Sequence, residues 1–206
     1  MDGTLVHNMH YHKKAWIEFL DRKGYSMTEE EWEANHHGTI IEIVRRVFGE
    51  KYSDEEIYAM GEEKEALYRE IYAPDLKPVE GLDAFLQKVS TYPKALATMG
   101  DRNNIDFTLS GLGLQNYFDV ELGGEDANRG KPHPDIFLQA AEALQVDPGD
   151  CLVFEDSLSG IQAARAAGME VVALATTHTV DELSSQNLNL IIEDYNHPQL
   201  INYLIT

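Results

Sequence analysis

Cysteine, basic residues and long apolar runs are all scarce in this sequence of 206 residues. The single cysteine, Cys151, excludes an internal disulfide, and its place before an apolar run at 152–154 predicts a buried, unreactive thiol. No stretch approaches the ~18 apolar residues that cross a bilayer, and the first residues show no basic and apolar leader pattern. We therefore expect a cytoplasmic protein with no membrane partner.

The shortage of basic residues gives the chain a strongly negative charge. Lys and Arg total 16 against 36 Asp and Glu, for a formal net charge of −20 at pH 7. Such a surface repels the phosphates of nucleic acids and of anionic lipids, so we expect neither as a partner. An anionic substrate would need a local cation in its site, either a metal ion or a well-placed lysine.

The segment from about 11 to 72 has apolar residues at helical spacing, which predicts several short helices packed as a bundle. Ser53 with Glu56 forms a capping signature at the start of one of them. Four residues interrupt the pattern: Gly24, Gly38, Gly49 and Pro74.

Aromatic and histidine side chains in this segment invite a binding role, but a structural role is the more frequent one. We expect the aromatic rings to be bundle core. This prediction covers Trp16, Trp32, Tyr58 and Tyr68. His10 and His12 are two residues apart and do not face each other on a helix, so their spacing does not predict a metal site.

After Pro78 the pattern changes to short apolar runs that alternate with amphipathic helical segments. The runs predict strands at 95–97, 120–122, 152–154, 171–174 and 190–192. Strand and helix in alternation predict a parallel sheet covered on both faces. Ligands bind beyond the carboxyl ends of the strands in such sheets, so the residues after each run are the candidate site.

Polar residues follow two of these predicted strands. Glu155 and Asp156 directly follow one, and adjacent carboxylates there favour a hard cation such as Mg²⁺. A solvated acidic turn that caps the next helix explains this pair nearly as well. Thr98 ends another strand and offers a hydroxyl to a phosphate oxygen, while Gly100 permits close approach of the backbone. A threonine at a strand end is also common for packing alone.

Lys131 lies in the loop Arg129-Gly130-Lys131-Pro132-His133-Pro134, whose prolines restrict the backbone before a helix. Its ammonium group could neutralise phosphoryl oxygens. By itself, however, an exposed lysine is the more common case.

Together, these motifs resemble those of the haloacid dehalogenase superfamily. Their order is Asp2-Gly3-Thr4, a helical segment, a strand with Thr98, Gly130-Lys131-Pro132, and a strand with Glu155-Asp156. The stretches 130–137 and 154–161 are similar to those of the β-phosphoglucomutase-like phosphatases and phosphomutases. The resemblance implies the α/β class: a Rossmann-like parallel sheet core, 1–7 and 78–206, with an inserted helical cap domain, 8–77.

The resemblance also implies a role for each site residue. Asp2 would act as general acid and base and contribute its backbone carbonyl to Mg²⁺. Thr98 would hold the phosphoryl group, and Lys131 would bridge the nucleophile and the phosphate. Glu155 and Asp156 would hold the metal.

In the family, the nucleophilic aspartate occupies the position that here would immediately precede Met1. The resemblance therefore implies that the natural frame continues upstream with about five or six strand-forming apolar residues, ending in that aspartate. The strand would lie between those that end at Thr98 and Glu155. A pseudoenzyme without the nucleophile is the competing interpretation.

A hexose phosphomutase is a further alternative, but it must grip a second phosphate with fixed cations. This chain has Ile41 where β-phosphoglucomutase has an arginine, and Gly100-Asp101 where the mutase has serine and lysine. Arg69 is a candidate substrate contact from the cap, and His12 matches a hinge histidine that contacts the acid–base aspartate. We predict Mg²⁺-dependent hydrolysis of a small phosphorylated metabolite, in particular a sugar phosphate, by a monomer or weak homodimer.

Overall fold

The computed structural model describes residues 1–35, 40–49 and 51–204. Gly38, where the sequence predicts a break, lies outside them. The first helices are α1 (Met9–Arg22), α2 (Glu29–Asn35), α3 (Ile40–Phe48) and α4 (Asp54–Tyr72). They confirm the predicted helical segment. Ser53 caps α4 as predicted: its hydroxyl accepts from the Glu56 amide at 3.3 Å, and the Glu56 carboxylate accepts from the Ser53 amide at 2.8 Å.

The apolar faces of these helices enclose a hydrophobic cluster that includes Trp16, Trp32 and Tyr68, as predicted. The prediction is wrong for Tyr58, which is 59% exposed. Ile57 takes the inward position on α4 and is fully buried. Because the next residue lies about 100° further round the helix, Tyr58 faces solvent.

The strands confirm all five predicted runs. They are β1 (Ala95–Ala97), β2 (Val120–Leu122), β3 (Leu152–Glu155), β4 (Glu170–Leu174) and β5 (Leu190–Ile192). Every pairing among the described strands is parallel, in the orders β1–β2 and β3–β4–β5. Since helices separate successive strands, each connection crosses a face of the sheet. The core is therefore the predicted Rossmann-like α/β layer.

Helices of the second half cover these strands. They are α5 (Leu82–Lys88), α6 (Arg102–Leu112), α7 (Asp135–Leu144), α8 (Leu158–Ala166), α9 (Val180–Ser184) and α10 (Leu200–Tyr203). α8 ends shortly before Gly168, which has a left-handed φ of +77°. Cys151 is half-buried, not buried as predicted. It lies just before β3 enters the core, and its thiol donates to the Asp147 carbonyl at 3.5 Å.

An apolar groove separates the two sets of strands. Within the described residues, β1 and β3 are not hydrogen-bonded to each other, and a cavity of about 480 Å³ lies between them. All of β1 and residues 152–154 of β3 line it, together with apolar side chains of α5 and α7 such as Phe85 and Phe137. The two facing edges and the apolar walls make the groove suitable for one extended segment.

Residues 1–6 form a turn that is attached to the core. Val79 donates its amide to the Leu5 carbonyl at 2.8 Å, and the Tyr195 hydroxyl donates to the Thr4 carbonyl at 3.2 Å. These contacts join residues 1–6 to the segment that begins at about 78. The domain boundaries stay a prediction. In the described residues, no helix has the length and apolar character needed to span a membrane.

Candidate active site

Lys131 connects the ends of the two strands that border the groove. Its ammonium group forms an ion pair with Glu155 Oε1, at the end of β3. It also donates to the Ala97 carbonyl, at the end of β1, over 3.4 Å. Only 10% of the Lys131 side chain and 7% of the Glu155 side chain are exposed. The proline-containing loop thus places the largely buried ammonium group of Lys131 at the carboxyl ends of β1 and β3.

Both carboxylate oxygens of Glu155 already have donors. Oε1 accepts from Lys131, while Oε2 accepts from the Asp156 amide at 3.1 Å and from the Ser157 hydroxyl at 2.9 Å. Burial disfavours the ionised form, but the charge and hydrogen bond of Lys131, together with smaller contributions that include the Ser157 amide, hold the pKa of Glu155 below its ordinary value. In this arrangement Glu155 orients Lys131, and its predicted role as a metal ligand stays a prediction.

Asp156 packs against the turn that contains Gly3. A Cβ built on Gly3 would lie 2.0 Å from Asp156 Oδ2, and Gly3 has a left-handed φ of +63°. The carboxylate accepts from the hydroxyl of Thr4 at 3.3 Å and from that of Thr177. Burial, with the neighbouring charge of Glu155, raises the pKa of Asp156 to about 7. A cation beside this carboxylate would restore its charged form.

The oxygen ligands offered here, the Asp156 carboxylate and a backbone carbonyl of the first turn, fit Mg²⁺. This ion takes one or two carboxylates and completes its shell with water and substrate oxygens. No group of three or more His, Cys, Asp or Glu side chains in the described part of the chain is placed to hold a metal ion. The arrangement instead offers the Asp156 carboxylate next to Gly3, and therefore close to the Asp2–Gly3 peptide. Hard oxygen donors of this kind exclude soft metals but suit magnesium.

Asp2 is held by two side chains from α1 and its N-terminal cap. Asn8 Nδ2 donates to Asp2 Oδ1 at 2.5 Å, and His12 Nε2 lies 3.5 Å from the same oxygen. The Asp2 side chain retains 21% exposure. Burial opposes ionisation, but the hydrogen bond and charge of His12, together with smaller contributions that include the hydrogen bond from Asn8, hold the pKa of Asp2 below its usual range. Asp2 is therefore an ionised, oriented carboxylate with access to solvent.

Thr98 and Gly100 lie beside Asp2. Thr98 is 4% exposed, and its hydroxyl accepts from the Gly100 amide at 3.2 Å. A Cβ on Gly100 would lie 3.7 Å from Asp2 Oδ2 and 3.1 Å from the Met1 methyl. Because Gly100 has no side chain, the loop after β1 can lie close to the Asp2 carboxylate.

Beyond His12 a buried polar network runs through α4. Lys64 is 1% exposed, and its ammonium lies 3.0 Å from His12 Nδ1 and 2.9 Å from Glu65 Oε1. The Tyr68 ring stacks on His12 at 3.7 Å between centroids, and Asn8 donates to the Tyr68 hydroxyl at 2.5 Å. Because His12 and Asn8 hold the Asp2 carboxylate and also contact α4, the orientation of Asp2 depends on where α4 lies.

The network continues from α4 to Asn104 on α6, and Asn104 in turn contacts Arg69 of α4. Asn104 donates to Glu65 Oε2 at 2.8 Å, and its own Oδ1 accepts from Arg69 at 2.7 Å. The same guanidinium group lies 3.9 Å from Asp101 Oδ1. Arg69, predicted as a substrate contact, thus already has partners on the core.

The family of the chain follows from a comparison with protein-family models. The model described as haloacid dehalogenase-like hydrolase matches residues 1–168. The chain belongs to this family. This match confirms the predicted family. The relatives and solved structures that follow confirm the predicted α/β fold class and the predicted enzyme class, a phosphatase-type hydrolase of the haloacid dehalogenase superfamily.

Relatives of this haloacid dehalogenase-like hydrolase include phosphatases. Fructose-1-phosphate phosphatase YqaB of Escherichia coli is 32% identical over 172 residues, covering 84% of this chain and 92% of the relative. Among solved structures, a family IA, variant 3 hydrolase from Entamoeba histolytica has a TM-score of 0.85 at 30% identity, covering 95% of this chain and 91% of the other. β-Phosphoglucomutase from Clostridium difficile has a TM-score of 0.84 at 25% identity, covering 100% and 96%.

In this haloacid dehalogenase-like hydrolase, the predicted residues at 2, 98, 100, 131, 155 and 156 converge on one edge of the strands. Sequence reasoning missed Asn8, Lys64, Glu65 and Asn104. A weak signal existed for two of them, because charged residues at 64 and 65 interrupt the inward face of an amphipathic helix. Asn8 and Asn104 have no comparable signal, since their partners are distant in the chain.

Proposed function

We propose that this protein hydrolyses a small sugar phosphate in a Mg²⁺-dependent reaction. The observation that carries the proposal is Lys131, whose buried ammonium lies between the ends of β1 and β3 while Asp156 and Asp2 lie at the same edge. Two relatives support a sugar as the leaving group: the fructose-1-phosphate phosphatase and a 6-phosphogluconate phosphatase of Escherichia coli, 29% identical over 179 residues.

Each site residue then has a distinct task. Lys131 and the Thr98 hydroxyl bind phosphoryl oxygens, because a cation and a donor at the end of β1 compensate the charge of a transferring phosphoryl group. Asp2, ionised in the free protein, first takes up a proton from solvent, gives it to the leaving oxygen and later accepts one from the attacking water. Asn8 and His12 hold its carboxyl group in place for these steps. The cap helices limit the access of bulk water.

Asp156 and the Asp2 carbonyl would hold Mg²⁺. When bound, the ion supplies positive charge that stabilises the phosphoryl group during transfer. The contact between Asp156 and Gly3 supports this assignment, because it brings the carboxylate against the backbone of the first turn. Glu155 contributes by holding Lys131.

We further propose that an apolar strand ending in the nucleophilic aspartate occupies the groove between β1 and β3. The volume of about 480 Å³, the apolar walls and the two facing strand edges support it. A parallel strand there would end at the edge where Lys131 lies. That position would put its terminal carboxylate beside the phosphoryl site.

The contacts of Arg69 favour hydrolysis over phosphomutase activity. A mutase needs cations that can hold a second phosphate, and Arg69 is shared between Asn104 and Asp101. Efficient interconversion of β-glucose 1-phosphate and glucose 6-phosphate, with little release of phosphate, would reverse this preference.

A phosphate-release screen tests the proposed function. The chain is extended before Met1 by a short apolar segment ending in aspartate, and the matched control ends in asparagine. We expect Mg²⁺-dependent release from sugar monophosphates, with none in the control or with EDTA. The proposal would be contradicted if phosphate release were the same with and without Mg²⁺, or if no sugar or nucleotide monophosphate released phosphate. The cytoplasmic location and the monomer or weak homodimer stay predictions.

A further inference from the structure

The loop after β4, residues 175–178, lies beside Asp156. β3 and β4 are parallel, and Glu155 pairs with Ala173, so the chain leaves both strands at the same edge of the sheet. From this loop the Thr177 hydroxyl donates to Asp156 Oδ2. Thr177 is half-buried and has no task in the proposed mechanism.

Hydroxyl groups hold both carboxylate oxygens of Asp156. Oδ1 accepts from Thr4 at 3.3 Å, and Oδ2 accepts from Thr177. Gly3 closes another side of the carboxylate, since a built Cβ would lie 2.0 Å from Oδ2. Because a carboxylate oxygen has more than one lone pair, a hydroxyl on each oxygen fixes the orientation of the group and still leaves room for a cation.

The neighbouring threonine contacts the other part of the candidate metal site. The Thr176 hydroxyl donates to the carbonyl of Gly3 in the first turn. The proposed Mg²⁺ ligands are the Asp156 carboxylate and the Asp2 carbonyl, which belongs to the peptide bond just before Gly3. The loop after β4 therefore contacts both segments that supply these ligands.

This loop is anchored at both ends. At its start, Ala175 donates its amide to the Ile192 carbonyl of β5 at 2.7 Å. At its end, Thr179 caps α9: its hydroxyl accepts from the Glu182 amide at 3.3 Å, and its own amide donates to the Glu182 carboxylate at 2.7 Å. A hydroxyl on a segment held in this way can keep its acceptor in one orientation.

We propose that Thr177 is a positioning residue of the Mg²⁺ site, which holds the Asp156 carboxylate in the orientation that binds the metal. Thr176 keeps the first turn against the same loop. This inference rests on the proposed function. A residue that orients a metal ligand through a hydrogen bond typically contributes about 10- to 100-fold to metal affinity. Loss of the Thr177 hydroxyl therefore weakens metal binding without unfolding the chain.

Metal binding by the full 206-residue chain tests this inference without a measurement of activity. The probe is Mn²⁺, a hard cation that takes the same oxygen ligands as Mg²⁺, and electron paramagnetic resonance measures the free ion. We expect Thr177→Val to raise the Kd for Mn²⁺ by about tenfold or more. Thr177→Ser restores the hydroxyl and should stay within about threefold of the parent. Thr177→Ala, which removes the hydroxyl without adding a branched side chain, should behave like Thr177→Val.

Two control variants separate positioning from folding. Thr179→Val removes the cap of α9 in the same segment, so it should lower the melting temperature and keep the Kd of the parent. Asp156→Asn removes the carboxylate ligand itself and should abolish binding.

The inference alone is overturned if the parent binds Mn²⁺ and Thr177→Val binds it equally well. It is also overturned if Thr177→Ser does not restore the affinity, or if Thr179→Val weakens binding as much as Thr177→Val does. A parent chain that does not bind Mn²⁺, or an Asp156→Asn variant that binds it as the parent does, would overturn the metal site of the proposed function as well.

Discussion

Gly3 and Asp156 are in direct contact, although they are distant from each other in the sequence. A Cβ at position 3 would lie 2.0 Å from Asp156 Oδ2, and the left-handed φ of +63° also favours glycine there. The contact joins the first turn to the end of β3. It therefore brings Asp2, the acid–base candidate, and Asp156, the metal-ligand candidate, into one site.

Gly3→Ala should displace Asp156 and remove the increase in melting temperature that Mg²⁺ produces in the parent chain. Gly24→Ala is the control, because Gly24 has a φ of +74° and nothing within 4 Å of a built Cβ. The control should cost about 1 kcal/mol for the left-handed backbone and keep the Mg²⁺ effect. Equal behaviour of the two variants in thermal melts would count against the metal site.

Lys131→Met should destabilise the fold, because it leaves Glu155 buried without its partner. Loss of one member of a buried pair costs about 3–5 kcal/mol. The double variant Lys131→Met/Glu155→Gln should regain a large part of that loss, which urea unfolding measures. Arg22→Gln is the control, since Arg22 pairs with Glu18 on the surface and should cost under about 1 kcal/mol. A loss no larger than in this control would disprove the buried pair.

Asp156→Asn should stabilise the metal-free protein above neutral pH. The folded pKa of Asp156 is about 7, above the ~3.9 of an unfolded aspartate. The folded state then binds its proton more tightly, so the free energy of unfolding falls as pH rises from about 4 to about 7. With EDTA present, the variant should lose less stability than the parent between pH 5 and 8. It should also lose the Mg²⁺ effect, and identical pH profiles would refute the assignment.

Filling the groove should stabilise the chain. An extension before Met1 of five or six apolar residues ending in aspartate should raise the melting temperature by at least ~5 °C, since about 1 kcal/mol shifts it by ~2–4 °C at this size. It should also displace a hydrophobic dye from the cavity beside β1 and β3. An extension of equal length made of glycine and serine is the control. If both extensions act alike, the groove does not bind a strand.

Much of the fold could be predicted because its signals are local. The five strands coincide with short apolar runs, and Ser53 with Glu56 marks the start of α4. Tyr58 shows the limit of this approach. Its ring type suggests core, but its angular position on α4 leaves it 59% exposed. Helical period alone does not say which of two neighbours faces inward when both are apolar.

The order of the motifs, the parallel sheet, the negative charge and the family could all be predicted from the sequence. The pairing of polar side chains became visible in the folded chain: Lys64 meets His12, Arg69 meets Asn104, and Lys131 lies between Glu155 and the Ala97 carbonyl. The reason is physical. Periodicity and turn chemistry act within a few residues, whereas a buried charge is stable only where packing brings partners from distant segments within hydrogen-bond distance.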